Sequence, residues 1–371
     1  MIKKIEIAAF GGFRTIPPAQ GSAGADKFAV ELYPRIVARG HNLTAFTRIY
    51  PGQTNESDWY EGVRLIPLKT VEKAGFDTLV HSFKCTLRLI FNRKIKCVHL
   101  HSGANSLWAI LLRLSGKKVV VTLFAMDWKR DKWSWYAKLF FRFSNYLTAI
   151  APNHVVFDNI FTKEYFEKKY NKTFDFIPYG SEVPDPPKNT DILKKIGVES
   201  GNYFFFVGRF IPDKGLHLLI DAFEKIKTTK KLVLVGGSPN PDSYEGKIKS
   251  TKDSRIIFPG YVYGDDTNIL IKHAYAYIQP SLIEGLSPVI LTVMGLGTPL
   301  ICSDIKENTF ITKDNASTFR SGEPCDLKTV IEESLNSSEN IKNKAILGQV
   351  DVRNRFNWNE IADEYIEIFK R

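Results

Sequence analysis

Cysteine is scarce in this sequence, and its four residues, Cys85, Cys97, Cys302 and Cys325, are scattered without Cys-x-x-Cys spacing. That argues against a disulfide framework or a thiolate zinc site, and for reduced thiols in a cytoplasmic protein. Long apolar runs are missing too: no uninterrupted stretch reaches the ~18 residues of a membrane span. Met1–Ile7 reads as a strand and lacks the apolar stretch of a signal peptide. The sequence has no repeat of about 20–50 residues, no nucleic-acid module and no metal-ligand spacing among its histidines. Acidic residues are in deficit, 40 Asp and Glu against 51 Lys and Arg, a net charge of +11. An excess of this sign favours anionic partners: phosphates, anionic lipid and, as third choice, nucleic acid.

The 371 residues are long for one core and comfortable for two domains. Apolar strand patterns alternate with helical ones, which points to parallel α/β sheets. Ile5–Phe10 reads as a first strand, followed by a Gly- and Pro-rich loop from Gly11 to Gly24. A helix beginning near Ala25 buries Phe28, Leu32, Ile36 and Val37 and ends at Gly40. Leu43–Phe46, Val63–Pro67, Val98–Leu100, Lys118–Leu123, Leu147–Ala151 and Thr173–Ile177 read as strands completing a first Rossmann-like half. Pro184, Pro186 and Pro187 mark a linker. A second series follows: strand Tyr203–Val207, helix Leu216–Lys227, strand Lys231–Val235, Ile256–Phe258, helix Thr267–Ala274, strand Ala276–Gln279, a helix from Pro288 and strand Pro299–Cys302. Trp358–Phe369 is an amphipathic helix. Two such halves bind ligands at the carboxyl ends of their strands.

Two segments carry the chemistry. In Phe204–Gly215 an apolar strand runs into Gly208-Arg209, and Lys214-Gly215 opens the next helix. Two cations at a strand-to-helix turn make a natural diphosphate site. In Gln279–Pro288 a strand ends in Pro280-Ser281 and presents Glu284 on a glycine turn.

In the order and spacing of "VGRFIPDKGLHLLIDAF", "LVLVGGSPN", "IIFPGYVYGD", "IQPSLIEGLSPVILTVMGLGTPLICSDIKEN" and the opening "GGFRTIPPAQGSAGADKFAVELYPRIVARGHNLTAFTR", the chain resembles the family 4 retaining glycosyltransferases of the GT-B fold nearly end to end. The resemblance implies two Rossmann-like domains facing a central cleft. Residues 1–180 would bind the acceptor, 181–355 the nucleotide sugar, and 356–371 would cross back to the first domain. It implies no cofactor: the donor is a UDP-, GDP- or dTDP-linked sugar, and the metal-binding Asp-x-Asp motif of other sugar transferases is absent. Arg209 and Lys214 match the diphosphate-binding Arg and Lys, which stabilise the charge growing on the leaving group. Glu284 matches the Glu that contacts donor-sugar hydroxyls; its alternative role is capping the helix that follows. Backbone N–H groups of Gly285, Leu286 and Ser287 would line the phosphates. Gly21, Ser22, Ala23 and Gly24 match a closing loop or are a plain one. Gly208 and Gly237 belong to the same expected site, with Tyr261 and Val262 near the base.

The sequence departs from the family at two places. Thr292 stands where a Glu would accept the ribose hydroxyls, a loss of about 1.5–3 kcal/mol of donor affinity. It fits either a deoxyribose donor such as a dTDP-sugar or a weakened enzyme. Phe124-Ala125 replaces a His-Gly whose His lies near the donor sugar, and Phe cannot hydrogen-bond or exchange a proton. Asp127 is the substitute candidate for that polar contact, or a helix N-cap. His101 is expected near the cleft mouth, with Trp128, as an acceptor contact or as a structural histidine.

The segment Trp128–Tyr146 interleaves aromatic with basic residues, and Lys84–Lys96 is a second basic stretch. Both fit an anionic membrane surface. The alternative is an ordinary amphipathic helix with Trp135, Leu139 and Phe143 packed inward. The resulting expectation is a metal-independent hexosyl- or deoxyhexosyltransferase of surface glycan or glycolipid synthesis, on the inner face of the plasma membrane. The reading from another class is a catalytically degenerate binding or partner subunit.

Overall fold

The computed structural model describes residues 4–18, 24–50, 57–72, 76–124, 135–181, 189–238 and 243–371. The chain divides into two compact units, the first formed by Met1–Tyr179 with Trp358–Arg371 and the second by Gly180–Asn357.

Unit 1 runs β1 (Glu6–Phe10), α1 (Gly24–Ala38), β2 (Asn42–Ile49), β3 (Trp59–Tyr60), β4 (Val63–Lys69), α2 (Phe76–Ile90), β5 (Cys97–His101), α3 (Leu107–Leu114), β6 (Lys118–Leu123), α4 (Trp135–Ile150), β7 (His154–Phe157), α5 (Ile160–Tyr170) and β8 (Asp175–Phe176). Its strands form one sheet in the order β3-β4-β2-β1-β5-β6-β7-β8. All neighbours are parallel except β3 and β4. A parallel sheet is covered by helices on both faces, so its central strands are buried on both sides; all five residues of β5 are buried, His99 and His101 included.

Unit 2 runs α6 (Asp191–Ile196), β9 (Tyr203–Arg209), α7 (Leu216–Glu224), β10 (Lys231–Gly237), α8 (Ser243–Lys249), β11 (Ile256–Gly260), α9 (Asp265–Lys272), β12 (Ala276–Gln279), α10 (Pro288–Gly295), β13 (Leu300–Ser303), α11 (Lys306–Thr312), β14 (Ser317–Phe319), α12 (Pro324–Asn336) and α13 (Ser338–Arg355). Its six strands are all parallel, in the order β11-β10-β9-β12-β13-β14. Phe204, Phe205 and Phe206 of β9 are fully buried. Burying one such ring contributes about 1.5–3 kcal/mol, which fixes β9 at the centre of the sheet.

In each unit the chain leaves a central strand in one direction and later resumes on its other side. In unit 1 this reversal lies between β1 and β5, and in unit 2 between β9 and β12. Such a point leaves a crevice beyond the strands' carboxyl ends, where ligands bind in open α/β sheets.

Leu147–Ala151 is not a strand. Leu147–Ile150 form the last turn of α4, and the place beside β6 is taken by β7. A short apolar run has the same pattern in a buried strand as in a helix end. The helix after β9 stops at Glu224, and Lys225–Lys227 lie beyond it.

Unit 1 is completed by α14 (Trp358–Lys370), whose buried face includes Trp358, Ile361, Tyr365 and Phe369. Phe28 of α1 meets Trp358 and Tyr365 edge-on at ring distances of 5.5 and 5.7 Å. The Tyr365 hydroxyl pairs with that of Thr122 at 2.9 Å. Thr122 also bonds His99 at 2.7 Å, and Tyr33 bridges His99 and His101. Both imidazoles are fully buried. Burial disfavours their charged forms, holding His99 well below the usual histidine range, with His101 adding to the effect, and lowering His101 to about 3.

The unfolded chain therefore takes up a proton at His101 near the ordinary value of 6.5, and the native state only near 3. Stability from the neutral imidazole is complete above 6.5 and is lost as pH falls toward 3. With Phe at position 101, the unfolding free energy between pH 6 and pH 4 should fall less steeply, by about 1.4 kcal/mol per pH unit. Urea titrations of both proteins across that range measure the difference; parallel pH profiles would contradict the assignment.

Candidate active site

The site of unit 2 is assembled at its reversal point. Beyond β9 the chain makes a 3-10 turn, Pro212–Lys214, and Gly215 then adopts a left-handed conformation (φ 66°) before α7. A Cβ on Gly215 would lie 2.0 Å from the carbonyl oxygen of Pro280, so only glycine lets this turn seat on the loop beyond β12. The seating is reinforced by the Asp213 carbonyl, which accepts the Leu282 N–H at 2.8 Å. Two loops seventy residues apart in sequence are thereby locked together, and each brings a charged side chain.

Lys214 donates to Glu284 Oε1 at 2.5 Å. The same oxygen accepts from Gln279 Nε2 at 2.6 Å and Ser281 Oγ at 2.7 Å. Gln279 also donates to Ser281, and its own carbonyl is held by the buried hydroxyl of Tyr277 at 2.8 Å. Burial pushes that phenol's pKa far above its ordinary value, so it stays a donor. The carboxylate is thus immobilised through one oxygen, and no described residue donates to Oε2. Glu284 does not cap the next helix: α10 has Ser287 at its N-cap and no side-chain cap bond. Pro288 at its first position has no N–H, and the N–H groups that follow are left without a side-chain cap.

Arg209, the last residue of β9, is exposed and forms no ion pair among the described residues. It lies beside Gly237 in the β9–β10 register. The ladder is tightest one step earlier, where a Cβ on Gly236 would fall 1.9 Å from the Gly208 carbonyl. Gly237 is covered by the ring of Tyr261, which would contact a Cβ there at 3.0 Å. Tyr261 is half exposed and stacks on Tyr263 at 5.9 Å, with 3° between the ring planes. The Val262 carbonyl is occupied by the Thr267 hydroxyl at 2.9 Å. Thr292 directs its hydroxyl to Pro288 O, one turn back in its own helix, at 3.1 Å. Its one strong donor is therefore spent inside α10.

In unit 1 the corresponding reversal point is crowded with buried side chains, among them Asn105 and the Arg48 guanidinium, which donates to the Gly11 carbonyl. Gly11 (φ 122°) passes so close to β5 that a Cβ would lie 2.7 Å from the His101 carbonyl. Asp26, in the first turn of α1, accepts the Arg14 N–H at 2.6 Å and so ties the glycine loop to the helix. Gly24 starts α1, while Gly21, Ser22, Ala23, Asp127 and Trp128 lie outside the described residues.

His101 does not face a cleft mouth. It is fully buried, with the rings of Phe13, Phe28 and Phe124 at 5.3–5.5 Å. The reason is that β5 is covered on both faces to its last residue. This corrects the expectation of an acceptor contact and favours the structural alternative. Phe124 closes the cluster by packing on Phe28 at 5.0 Å. Sequence reasoning missed Gln279, Ser281 and Tyr277, which hold Glu284. The alternation Tyr277-x-Gln279-x-Ser281 at a strand end was the available signal, since it puts all three on one side.

Residues 201–337 match the family described as "Glycosyl transferases group 1", and residues 22–180 match "Glycosyltransferase Family 4". The chain is 29% identical over 175 residues to O-antigen chain mannosyltransferase C of Escherichia coli, 46% of this chain and 45% of that enzyme. It thus spans about half the length of the curated relatives it matches. Among solved structures, sucrose-phosphate synthase from Thermosynechococcus elongatus superposes with a TM-score of 0.82 at 17% identity, covering 99% of this chain and 98% of that one. Anabaena Alr3699/HepE, in complex with UDP and glucose, gives 0.77 at 15% identity over 98% of each chain. These likenesses carry the fold, and the two family matches together span most of the sequence: the chain belongs to family 4 of the glycosyltransferases, with the GT-B fold.

Proposed function

We propose that the protein is a retaining glycosyltransferase that moves a sugar from a nucleoside diphosphate sugar to a glycan or lipid-linked glycan acceptor. The observation that carries this reading is the fixed Lys214–Glu284 pair and an exposed Arg209 that forms no ion pair among the described residues, at the carboxyl ends of β9 and β12. Arg209 and Lys214 would hold the diphosphate, and the α10 N-terminus would add its N–H groups. Glu284 Oε2 would take a donor-sugar hydroxyl while Oε1 stays bound to the protein. Gly208, Gly237 and the Tyr261–Val262 backbone would surround the nucleoside, and Gly21–Gly24 would close over the phosphates.

In the reaction, the bond from the anomeric carbon to the diphosphate breaks with its electron pair going to the phosphate oxygen. The acceptor oxygen bonds to the same face of that carbon, and its proton passes to the departing phosphate. This route asks for no strong side-chain base, which suits the apolar surroundings of Phe124. The two cations stabilise the growing negative charge, so no metal or other cofactor is required. The likeness to an O-antigen mannosyltransferase and to a structure holding UDP and glucose supports a hexosyl or deoxyhexosyl donor and a surface-glycan product. Residues 1–180 would bind the acceptor, and a lipid-linked one would bring the enzyme to the cytoplasmic face of the plasma membrane.

A second reading, a non-catalytic subunit that binds nucleotide and supports a partner, is favoured by one observation. The Thr292 hydroxyl, in the place of the ribose-binding carboxylate, is turned back into its own helix.

Melting temperatures with UDP, GDP, dTDP and their sugar conjugates separate these readings when combined with a transfer assay. Specific binding raises the melting temperature by mass action. A rise with one nucleotide that disappears in the Arg209→Ala, Lys214→Ala double variant is expected, and no rise with any of them would refute the diphosphate site. Binding without turnover on any acceptor would favour the subunit.

Lys214→Ala alone should lower kcat by about 10²–10³-fold, as for loss of one preorganised donor. Gln279→Leu should weaken donor binding by about 1 kcal/mol by loosening Glu284, read as a higher donor KM. Thr292→Glu should tighten ribonucleoside diphosphates by about 1.5–3 kcal/mol and leave 2′-deoxy analogues unimproved. Equal effects on both in calorimetry would show that position 292 does not meet the ribose.

A further inference from the structure

The sequence of α4 leaves open whether its aromatic stripe packs inward or faces outward. Trp135, Leu139 and Phe143 point to solvent, with Trp135 77% exposed, which sets the inward alternative aside. The inward face carries Ser144, Asn145 and Thr148. Thr148 bonds the hydroxyl of Ser106 at 2.7 Å, and a Cβ on Gly103 would meet Thr148 and Asn145 at 3.2–3.3 Å. This close polar seam fixes the helix rotation, so α4 cannot turn its aromatics inward.

The neighbouring helices share the feature. On α2 and just beyond it, Phe83, Leu87 and Phe91 form an exposed stripe, with Phe91 80% exposed. On α3 the stripe is Ile110, Leu111 and Leu114, the last 81% exposed. These helices follow β4, β5 and β6, cross the sheet in the same direction and so cover one face of it; α3 packs on both α2 and α4. The ring of Phe83 lies 5.7 Å from that of Trp108, joining the stripes of α2 and α3. Exposed apolar area gathered this way marks a binding surface.

Charge identifies the occupant. Residues 78–124 and 135–157 contain no Asp or Glu. Lys84, Arg88, Arg93, Arg113 and Arg142 are exposed among the apolar side chains. We propose that the outer face of α2, α3 and α4 docks on an anionic lipid bilayer, the apolar side chains entering the acyl boundary and the basic ones meeting lipid phosphates. A second copy meeting this face about a two-fold axis would set like charges against each other. A nucleic acid would leave the aliphatic side chains of Leu87, Leu111 and Leu114 without a partner. The docking face consists of unit 1 side chains alone and is independent of the sugar-transfer reading.

Co-sedimentation of the full chain with phosphatidylcholine vesicles, with and without phosphatidylglycerol, tests this. Binding to the anionic vesicles is expected, weakened by 0.5 M salt as surface charges are screened at a Debye length of about 3–10 Å. Each basic residue near such a surface contributes roughly fivefold to the partition coefficient. Arg88→Glu with Arg93→Glu should therefore lower it at least tenfold, and Leu114→Ser with Trp135→Ser should do so at any salt. All four positions are exposed, so melting temperatures and nucleotide-induced stabilisation should match the parent protein, keeping a failure here distinct from a failure at the diphosphate site. The proposal is overturned by absence of vesicle binding, by equal binding of the variants, by self-association that Leu114→Ser with Trp135→Ser abolishes in place of vesicle binding, or by capture of homopolymeric RNA in its place.

Discussion

A single carboxylate oxygen organises the site of unit 2. Glu284 Oε1 gathers a lysine from the turn after β9, an amide from the end of β12 and a hydroxyl from the loop that follows it. Three donors on one acceptor are costly to assemble in a flexible chain. Here the backbone does the assembling, because the Gly215 turn seats on Pro280 with no room for a side chain. The ion pair is largely shielded, with side-chain exposures of 18% for Lys214 and 9% for Glu284. Its value lies in geometry more than in net stability, since desolvation offsets much of the attraction in a buried pair. A carboxylate held by one oxygen presents the other at a fixed place, which is what positioning a reacting sugar demands.

The two units handle polarity in opposite ways at equivalent places in their sheets. At the β9–β12 reversal, polar side chains converge: Tyr277, Gln279 and Ser281 are buried around the largely shielded Glu284, and Arg209 is exposed. At the β1–β5 reversal, histidine, tyrosine and phenylalanine rings pack into a sealed cluster around His101. Both depend on glycines that let backbone pass close to backbone, Gly215 and Gly236 in one, Gly11 in the other. The same topology thus yields a polar crevice in unit 2 and a packed joint in unit 1.

Much of this was legible in the sequence because parallel sheets write themselves as apolar runs. The runs that became β9, β10 and β12 lay where the pattern put them, and the Arg-Lys and Glu segments fell at their ends. What failed did so for definable reasons. Leu147–Ala151 has the same apolar pattern in a helix end as in a strand. His101 looked like a strand-end residue open to solvent, because nothing local tells that Phe13, Phe28 and Phe124 converge on it. For α4, periodicity gave the stripe of Trp135, Leu139 and Phe143 but not its direction; that was set by Gly103 and Ser106, which precede the helix by a whole strand and helix. The support of Glu284 was hidden for a related reason: hydrogen-bond partners are properties of folded loops. Asp127, Trp128 and Gly21–Ala23 lie outside the described residues, so their expected roles rest on the resemblance alone.

The return of α14 to unit 1 has a consequence for biosynthesis. On the ribosome, the strands of unit 1 emerge first, yet the face of Phe28, His99 and Thr122 that α14 covers must wait until the whole of unit 2 has been made. At about 5–20 residues per second this delay is on the order of ten to forty seconds. During it, unit 1 carries an uncovered apolar groove while unit 2, whose chain is continuous, is free to fold. The buried imidazoles and hydroxyls that will bond to one another and to Tyr365 keep that waiting groove partly polar, a property suited to a surface that must stay wet before it is closed.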